Sequence, residues 1–193
     1  EALGRVDTVC FDKTGTLTEN RLRVVCAVPV GADLHAPFPQ LADPRSAVLL
    51  RAAARASAQP QAGQGHAHAT DEAILTAANS LNGQGDSDWS MLAEVPFESS
   101  RGFAAAIGTV GNNNTRGDNN GQPSDAPVLI LKGAPEVILP RCEFADREAD
   151  QARAEAVVLG LAEQGLRVLA VAQRGWKHET DDDDTDADAV DAA

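Results

Sequence analysis

The residues most able to do chemistry stand near the start of the chain. Val6 to Phe11 is rich in strand formers and delivers Asp12 into the run Lys13-Thr14-Gly15-Thr16-Leu17-Thr18. A strand fixes a carboxylate on a rigid element. Gly15 lets the backbone turn tightly and bring N–H groups close to an anion. Lys13 adds positive charge, and the threonines add donors. A carboxylate held this way can attack phosphorus and form an acyl phosphate. A short Asp-Lys-Thr-Gly run is otherwise a polar turn. Its seven-residue extent behind an apolar strand favours the phosphoryl acceptor.

Further stretches place polar or aromatic side chains at element ends. Phe97, in Val95-Pro96-Phe97-Glu98-Ser99-Ser100-Arg101, is one of five Phe in a chain without Tyr. Beside polar residues its ring could stack on a base, with core packing as the alternative. Lys132, in Leu131-Lys132-Gly133-Ala134-Pro135-Glu136, closes a strand. Gly133 would admit a ligand close to the backbone, and Pro135 opens a helix whose N-terminus attracts negative charge. A surface lysine before a turn is the alternative reading. Glu72, in Thr70-Asp71-Glu72-Ala73-Ile74-Leu75, is by itself a first-turn acid that suits the helix dipole. Gly165 to Ala172 alternates as a strand with one buried face, and it carries Arg167.

These residues must be positioned by a mixed set of elements. Strands are expected at 5–11, 22–30, 91–97, 102–110, 127–132 and 166–174. Asp43-Pro44 opens a helix that runs to about Ala58, with Ala47, Leu49, Leu50, Ala53 and Ala54 among its apolar residues. Thr70 or Asp71 caps a second helix over 71–80, with Ile74, Leu75 and Ala78 on one face. A short helix is expected at 134–140. A longer one at 147–164 has Ala152, Ala156, Leu159 and Ala162 at helical spacing and is ended by Gly165. Residues 111–125, full of Asn, Gly and Asp, read as a mobile hairpin loop. The pattern predicts an α+β layer: a mostly antiparallel sheet flanked by helices, inserted after one strand of a separate parallel-sheet domain.

The 193 residues suffice for one good-sized core. Residues 179–193 hold eight acidic and no basic side chains, more than half of the net charge of −13. The body is therefore only mildly acidic, and 178–193 read as a solvated tail or linker. No Lys/Arg-rich patch exists, which argues against a nucleic-acid partner. Cys10, Cys26 and Cys142 read as reduced thiols, not a disulfide or zinc framework. No apolar run approaches the roughly twenty residues that span a bilayer. His66-Ala67-His68 lacks nearby cysteines and reads as a loop. Arg116-Gly117-Asp118 and the sequon at Asn113 read as chance in a cytosolic protein.

The Asp12 loop resembles the phosphorylation signature of P-type ATPases, the cation pumps of the haloacid dehalogenase superfamily. Related phosphatases carry a second aspartate two residues after the nucleophile; here that position is Thr14. Threonine shuttles no proton at neutral pH, so an aspartyl phosphate should persist, as a pump requires. The resemblance implies Asp12 as phosphorylated nucleophile with Lys13 and Thr14 beside it. Asp12 and Thr14 would hold Mg2+ in the complete phosphorylation domain. The later stretches are similar, in order, to the family's nucleotide-binding domain. They imply Glu72 at the adenine amino group, Phe97 stacked on adenine, and Lys132 with Gly133 lining the pocket. Arg101 and Arg167 would face the phosphates. Position 102 is Gly and 103 is Phe where many pumps have a basic residue, so the phosphate side would rely more on Arg101 or bind weakly.

The expected organisation is therefore residues 1–21 as the first strand and loop of an incomplete phosphorylation domain. Residues 22–177 would form the nucleotide-binding domain, and 178–193 the acidic tail. The chain is expected to be a soluble cytoplasmic piece of an integral membrane ATPase that transports a cation through an aspartyl-phosphate intermediate. Its partners would be ATP or ADP and the rest of the same polypeptide: remaining phosphorylation domain, actuator and transmembrane domains. Without the remaining metal-binding aspartates, weak nucleotide binding and negligible turnover are expected. The rivals are a stand-alone phosphatase or phosphotransferase of the same superfamily and a non-catalytic nucleotide-binding module.

Overall fold

The computed structural model describes residues 7–11, 18–19, 21–32, 41–58, 68–81, 89–111, 126–144 and 146–176. Within them the chain forms α1 (Pro44–Arg55), α2 (Ala69–Leu81), β1 (Trp89–Val95), β2 (Phe103–Val110), β3 (Val128–Gly133), α3 (Pro135–Ile138), a 3-10 turn (Leu139–Arg141), α4 (Arg147–Glu163) and β4 (Ala170–Gly175). The four strands make one antiparallel sheet in the order β1-β2-β3-β4. An antiparallel sheet flanked by helices is the α+β layer that the sequence predicts.

Strand alternation sends β2 and β3 residues to two different cores. Phe103, Ala105, Leu129 and Leu131 join Ile138 of α3 on one face. Ala106 and Ile130 meet Ala52 and Ala56 of α1 on the other. Beside them Leu50 and Ala53 of α1 pack against Ile74 and Ala78 of α2. Lys132 belongs to this second face and lies between Ala104 of β2 and Val171 of β4.

Helix ends follow their sequence signals. Asp43 accepts hydrogen bonds from the Arg45 and Ser46 N–H groups, and Pro44 takes the first helical position. Asp146 caps α4 through the Ala149 N–H. Gly165, at φ +76°, ends α4 with N–H bonds from Gly165 to Ala162 and from Leu166 to Leu161, a Schellman motif.

Several expectations need correction. Residues 7–11 pair with no strand among the described residues, and Val9 and Phe11 are both 60% exposed. Apolar alternation makes a strand only where a neighbour supplies the hydrogen bonds, and none does here. Residues 22–30 are likewise not a strand; this segment is tied to α1, where the Ser46 hydroxyl donates to the Ala27 carbonyl at 2.7 Å. The run at 166–174 becomes a strand only from Ala170. Thr70 and Asp71 lie inside α2 rather than capping it, because the helix starts at Ala69 and the N–H groups of Asp71 and Glu72 both reach the His68 carbonyl. In α4 the residues Ala152, Ala156, Leu159 and Ala162 are exposed. The face turned inward carries Ala154 and Leu161 with the half-buried Val157 and Val158. Alanine on several sides of this helix had blurred its amphipathic stripe.

Candidate functional site

The first turn of α2 is the meeting point. Lys132, at the end of β3, is only 4% exposed and donates to Oδ1 of Asp71 and, at 2.7 Å, to the Ser57 hydroxyl just beyond α1. Asp71 and Ser57 are themselves buried. Burial pushes the Lys132 ammonium below its ordinary value, and the hydrogen bond and charge of Asp71 pull it partly back. The charge is thus held inside the protein by one carboxylate and one hydroxyl. Three elements converge on it: α1, α2 and β3.

Asp71 engages Lys132 through Oδ1 and leaves Oδ2 without a hydrogen-bond partner among the described residues. No fully buried side-chain oxygen or nitrogen goes unpartnered there. Oδ2 is thus the carboxylate oxygen left for a further donor beside a buried cation, on a side chain only 8% exposed. One turn earlier, the His68 ring meets Phe97 edge to face, with centroids 6.0 Å apart and planes at 77°. Phe97 remains 43% exposed, so a ring surface stays available next to α2. The turn behind it closes through Arg101 and Gly102 N–H bonds to the Glu98 carbonyl, with Gly102 at φ +78°.

Arg101 points back into this turn. It donates to the Pro96 carbonyl at 3.2 Å, pairs with Glu98 at 3.1 Å and lies 5.8 Å from the Phe103 ring centroid. Arg141 approaches the same ring at 5.9 Å.

The other sequence candidates separate. Glu72 is exposed on α2, and it is Asp71 that turns inward to Lys132. A helix rotates about 100° per residue, so the two neighbours cannot share a face. Asp71 was legible only as a capping candidate; its pairing with a lysine 61 positions away required the fold. Ser57 and Ser46, both buried, gave no signal beyond being polar residues in an apolar stripe. Gly133 is glycine for a reason other than ligand access. A Cβ there would lie 2.4 Å from the Gly102 carbonyl oxygen and 2.6 Å from the Phe103 Cβ, so strand β2 occupies the space. The helix opened by Pro135 has four residues, too few for a strong terminal dipole. Asp12, Lys13 and Thr14 lie outside the described residues, as do 112–125 and 177–193.

Arg167 is exposed and belongs to the lining of a cavity of about 1110 Å3 between residues 22–32, α1, α4 and 165–173. Lys132 and Thr70 touch the same cavity, whereas Phe97, Arg101 and Glu72 do not. Its walls are chiefly aliphatic, including Val24, Val28, Leu50, Val157 and Leu161. Arg23, Arg45, Arg153 and Arg167 also line it with no acid among them, but no aromatic ring there could stack on a base. The polar and aromatic groups around the start of α2 form the better candidate site.

Comparison with known proteins agrees with this architecture. Residues 45–192 match the family model described as P-type ATPase, cytoplasmic domain N. The chain belongs to this family. It is 70% identical over its whole length to a probable cation-transporting ATPase I of Mycobacterium leprae and 65% identical to the protein of the same name from Mycobacterium tuberculosis H37Rv. A calcium-transporting ATPase CtpE of Mycobacterium bovis is 33% identical over 89% of the chain. The chain spans 11%, 12% and 16% of these three proteins, respectively. It therefore corresponds to one part of each of these longer relatives. Among the described residues, no helix of this N-domain is long and apolar enough to cross a membrane, and no group of His, Cys, Asp and Glu could hold a metal ion.

Proposed function

We propose that this N-domain binds ATP or ADP at the first turn of α2, as the nucleotide-carrying part of a cation-transporting P-type ATPase. The observation that carries the reading is the Oδ2 acceptor of Asp71, placed beside the buried Lys132, with the His68–Phe97 pair just before the start of the same helix. The exposed Phe97 ring offers a stacking surface for a base. Oδ2 of Asp71 accepts from an exocyclic amino group, the donor that adenine presents and that guanine lacks at the same ring position. Asp71 thus takes the role that the sequence resemblance gave to Glu72. Arg101 supplies cationic character near Phe97 for the phosphates, and Arg167 a second cation from the α4–β4 connection.

In the intact pump, a carboxylate oxygen of Asp12 would attack the γ-phosphorus of ATP and release ADP, with Lys13 and Thr14 in its loop. Asp12 and Thr14 would hold Mg2+ there, and the ion would supply charge neutralisation for that transfer. The cytoplasmic setting and the remaining phosphorylation, actuator and transmembrane parts follow from the same reading. Residues 1–21 then belong to the phosphorylation domain and 22–177 to the nucleotide-binding domain.

ATP titration of the full 193-residue chain, followed by amide NMR, tests this directly. Signals of Asp71, Phe97 and Lys132 and of residues next to them should shift together, while Glu72 shifts only as their neighbour in sequence. Phe97→Ala should weaken ATP binding about tenfold, the scale of one base–aromatic stack, without changing the fold. Unmoved Phe97 and Lys132 signals at saturating ATP would remove the site assignment.

A further inference from the structure

Lys132 depends on a residue that no nucleotide contact would reveal. The Ser57 hydroxyl donates to the Ala53 carbonyl of α1 at 2.8 Å and accepts from Lys132 Nζ at 2.7 Å. A hydroxyl has one proton. With that proton committed to Ala53, the lone pairs face Lys132, and the side chain acts toward it purely as an acceptor. The ammonium has three N–H donors. Asp71 takes one and Ser57 another, from different helices. The strands on either side of Lys132 offer Ala104 and Val171, which are apolar. Asp71 is thus the one titratable group in contact with Lys132 among the described residues, and Ser57 the one neutral acceptor.

Two anchors from two helices fix the ammonium in direction, where one would leave it to swing about the carboxylate. The direction matters because Lys132 Nζ occupies Oδ1 of Asp71 and so decides that Oδ2 is the open oxygen. If Nζ moved across the carboxylate, the acceptor offered to a ligand would be covered. Resting on the nucleotide-site reading above, we propose that Ser57 is a positioning residue for base recognition: its hydroxyl locks Lys132 onto one oxygen of Asp71 and leaves the other free for the amino group of adenine. Ser57 is buried, and its side chain bonds only Ala53 and Lys132 among the described residues, so its influence passes through Lys132.

The test uses the full chain with Ser57→Ala and Ser57→Thr. The chain has three lysines, Lys13, Lys132 and Lys177, so the Lys132 side-chain signal can be followed individually by carbon-detected NMR. Loss of the Ser57 acceptor removes a group that favours the charged ammonium. Lys132 should therefore lose its proton at lower pH in Ser57→Ala than in the unaltered chain, while Ser57→Thr, which keeps the acceptor, should titrate like the unaltered chain. ATP binding should weaken about tenfold in Ser57→Ala, the equivalent of one charge-assisted hydrogen bond, and recover in Ser57→Thr. The preference for ATP over GTP should fall in parallel. Weaker ATP binding with an unmoved Lys132 titration would mean that Ser57 merely supports α1, and the proposal would be wrong. Equal ATP binding in Ser57→Ala and the unaltered chain would overturn it as well. Absence of ATP binding by the unaltered chain is a separate result: it removes the nucleotide-site reading and the recognition role with it, even if Lys132 titrates as expected.

Discussion

The two faces of the sheet are built from the same strands but to different rules. The face under α3 is apolar throughout: Phe103, Ala105, Leu129, Leu131 and Ile138 are buried with no charged group among them. The face under α1 and α2 carries Ala106 and Ile130, and then, two residues on from Ile130 along β3, a buried ammonium. An apolar residue at position 132 would continue the pattern and avoid desolvating a charge. A buried ion pair is weak support for stability, since apolar replacements of similar volume often do as well. On the proposed reading, the contrast separates a face whose composition answers to packing from one whose composition answers to a ligand. Asp71 pairs with Lys132 at the end of the second face, and His68, just before α2, meets Phe97.

Breaking the apolar face should produce the largest effect. Phe103 is 1% exposed and packs beneath two arginines while pairing with Gly133. Phe103→Ala should destabilise the chain by about 3–5 kcal/mol in chemical denaturation, through lost burial and the cavity left behind. A loss below about 1 kcal/mol would show that this face is not the main core.

Asp71→Ala should cost about 3 kcal/mol, because it strands the Lys132 charge inside the protein. The sharper test is the double replacement Asp71→Leu with Lys132→Met, which removes both charges and keeps apolar volume. It should restore most of the lost stability, measured by denaturant unfolding, and still fail to bind ATP. Stability that stayed low in the double variant would make the pair structural and erase the proposed difference between the faces. Glu72→Gln is the control: it should leave ATP binding unchanged and cost only about 0.5 kcal/mol, the share of one exposed first-turn charge, since Glu72 faces solvent.

The difference between the faces also explains what could be read from the sequence. Local signals were strong where one residue's chemistry decides the outcome. Asp43-Pro44 named the start of α1, and Gly165 named the end of α4. The three strands β1, β2 and β3 were legible from β-branched and apolar runs, with Phe97, Lys132 and Arg101 marked at their ends. Long-range pairing was not. Asp71 and Glu72 are adjacent acids in one helical turn, and only the placement of β3 selects Asp71. Gly133 suggested an approaching ligand because a glycine reports close contact but not with what; the contact is with Gly102 and Phe103 of the same sheet. The strands expected at 5–11 and 22–30 had the right composition, yet a strand also needs a hydrogen-bonding neighbour, which a one-dimensional pattern cannot supply.

The smallest expected effect concerns alkaline pH and comes from the polar face alone. Burial lowers the Lys132 value from the ordinary 10.5 in the folded chain. In the window just below 10.5, the unfolded chain therefore holds this proton more often than the folded chain does. Stability rises with pH wherever the unfolded state binds more protons. Lys132 should thus contribute an increment that grows as pH climbs through that window, opposite in sign to a surface lysine paired with a carboxylate. Asp71 opposes the shift and keeps the increment small, because it favours the charged form. Subtracting the denaturation profile of Lys132→Met from that of the unaltered chain isolates the residue's share. A difference that falls with alkaline pH would mean that Asp71 outweighs burial. The second face would then be held by its ion pair as firmly as the first is held by its apolar core.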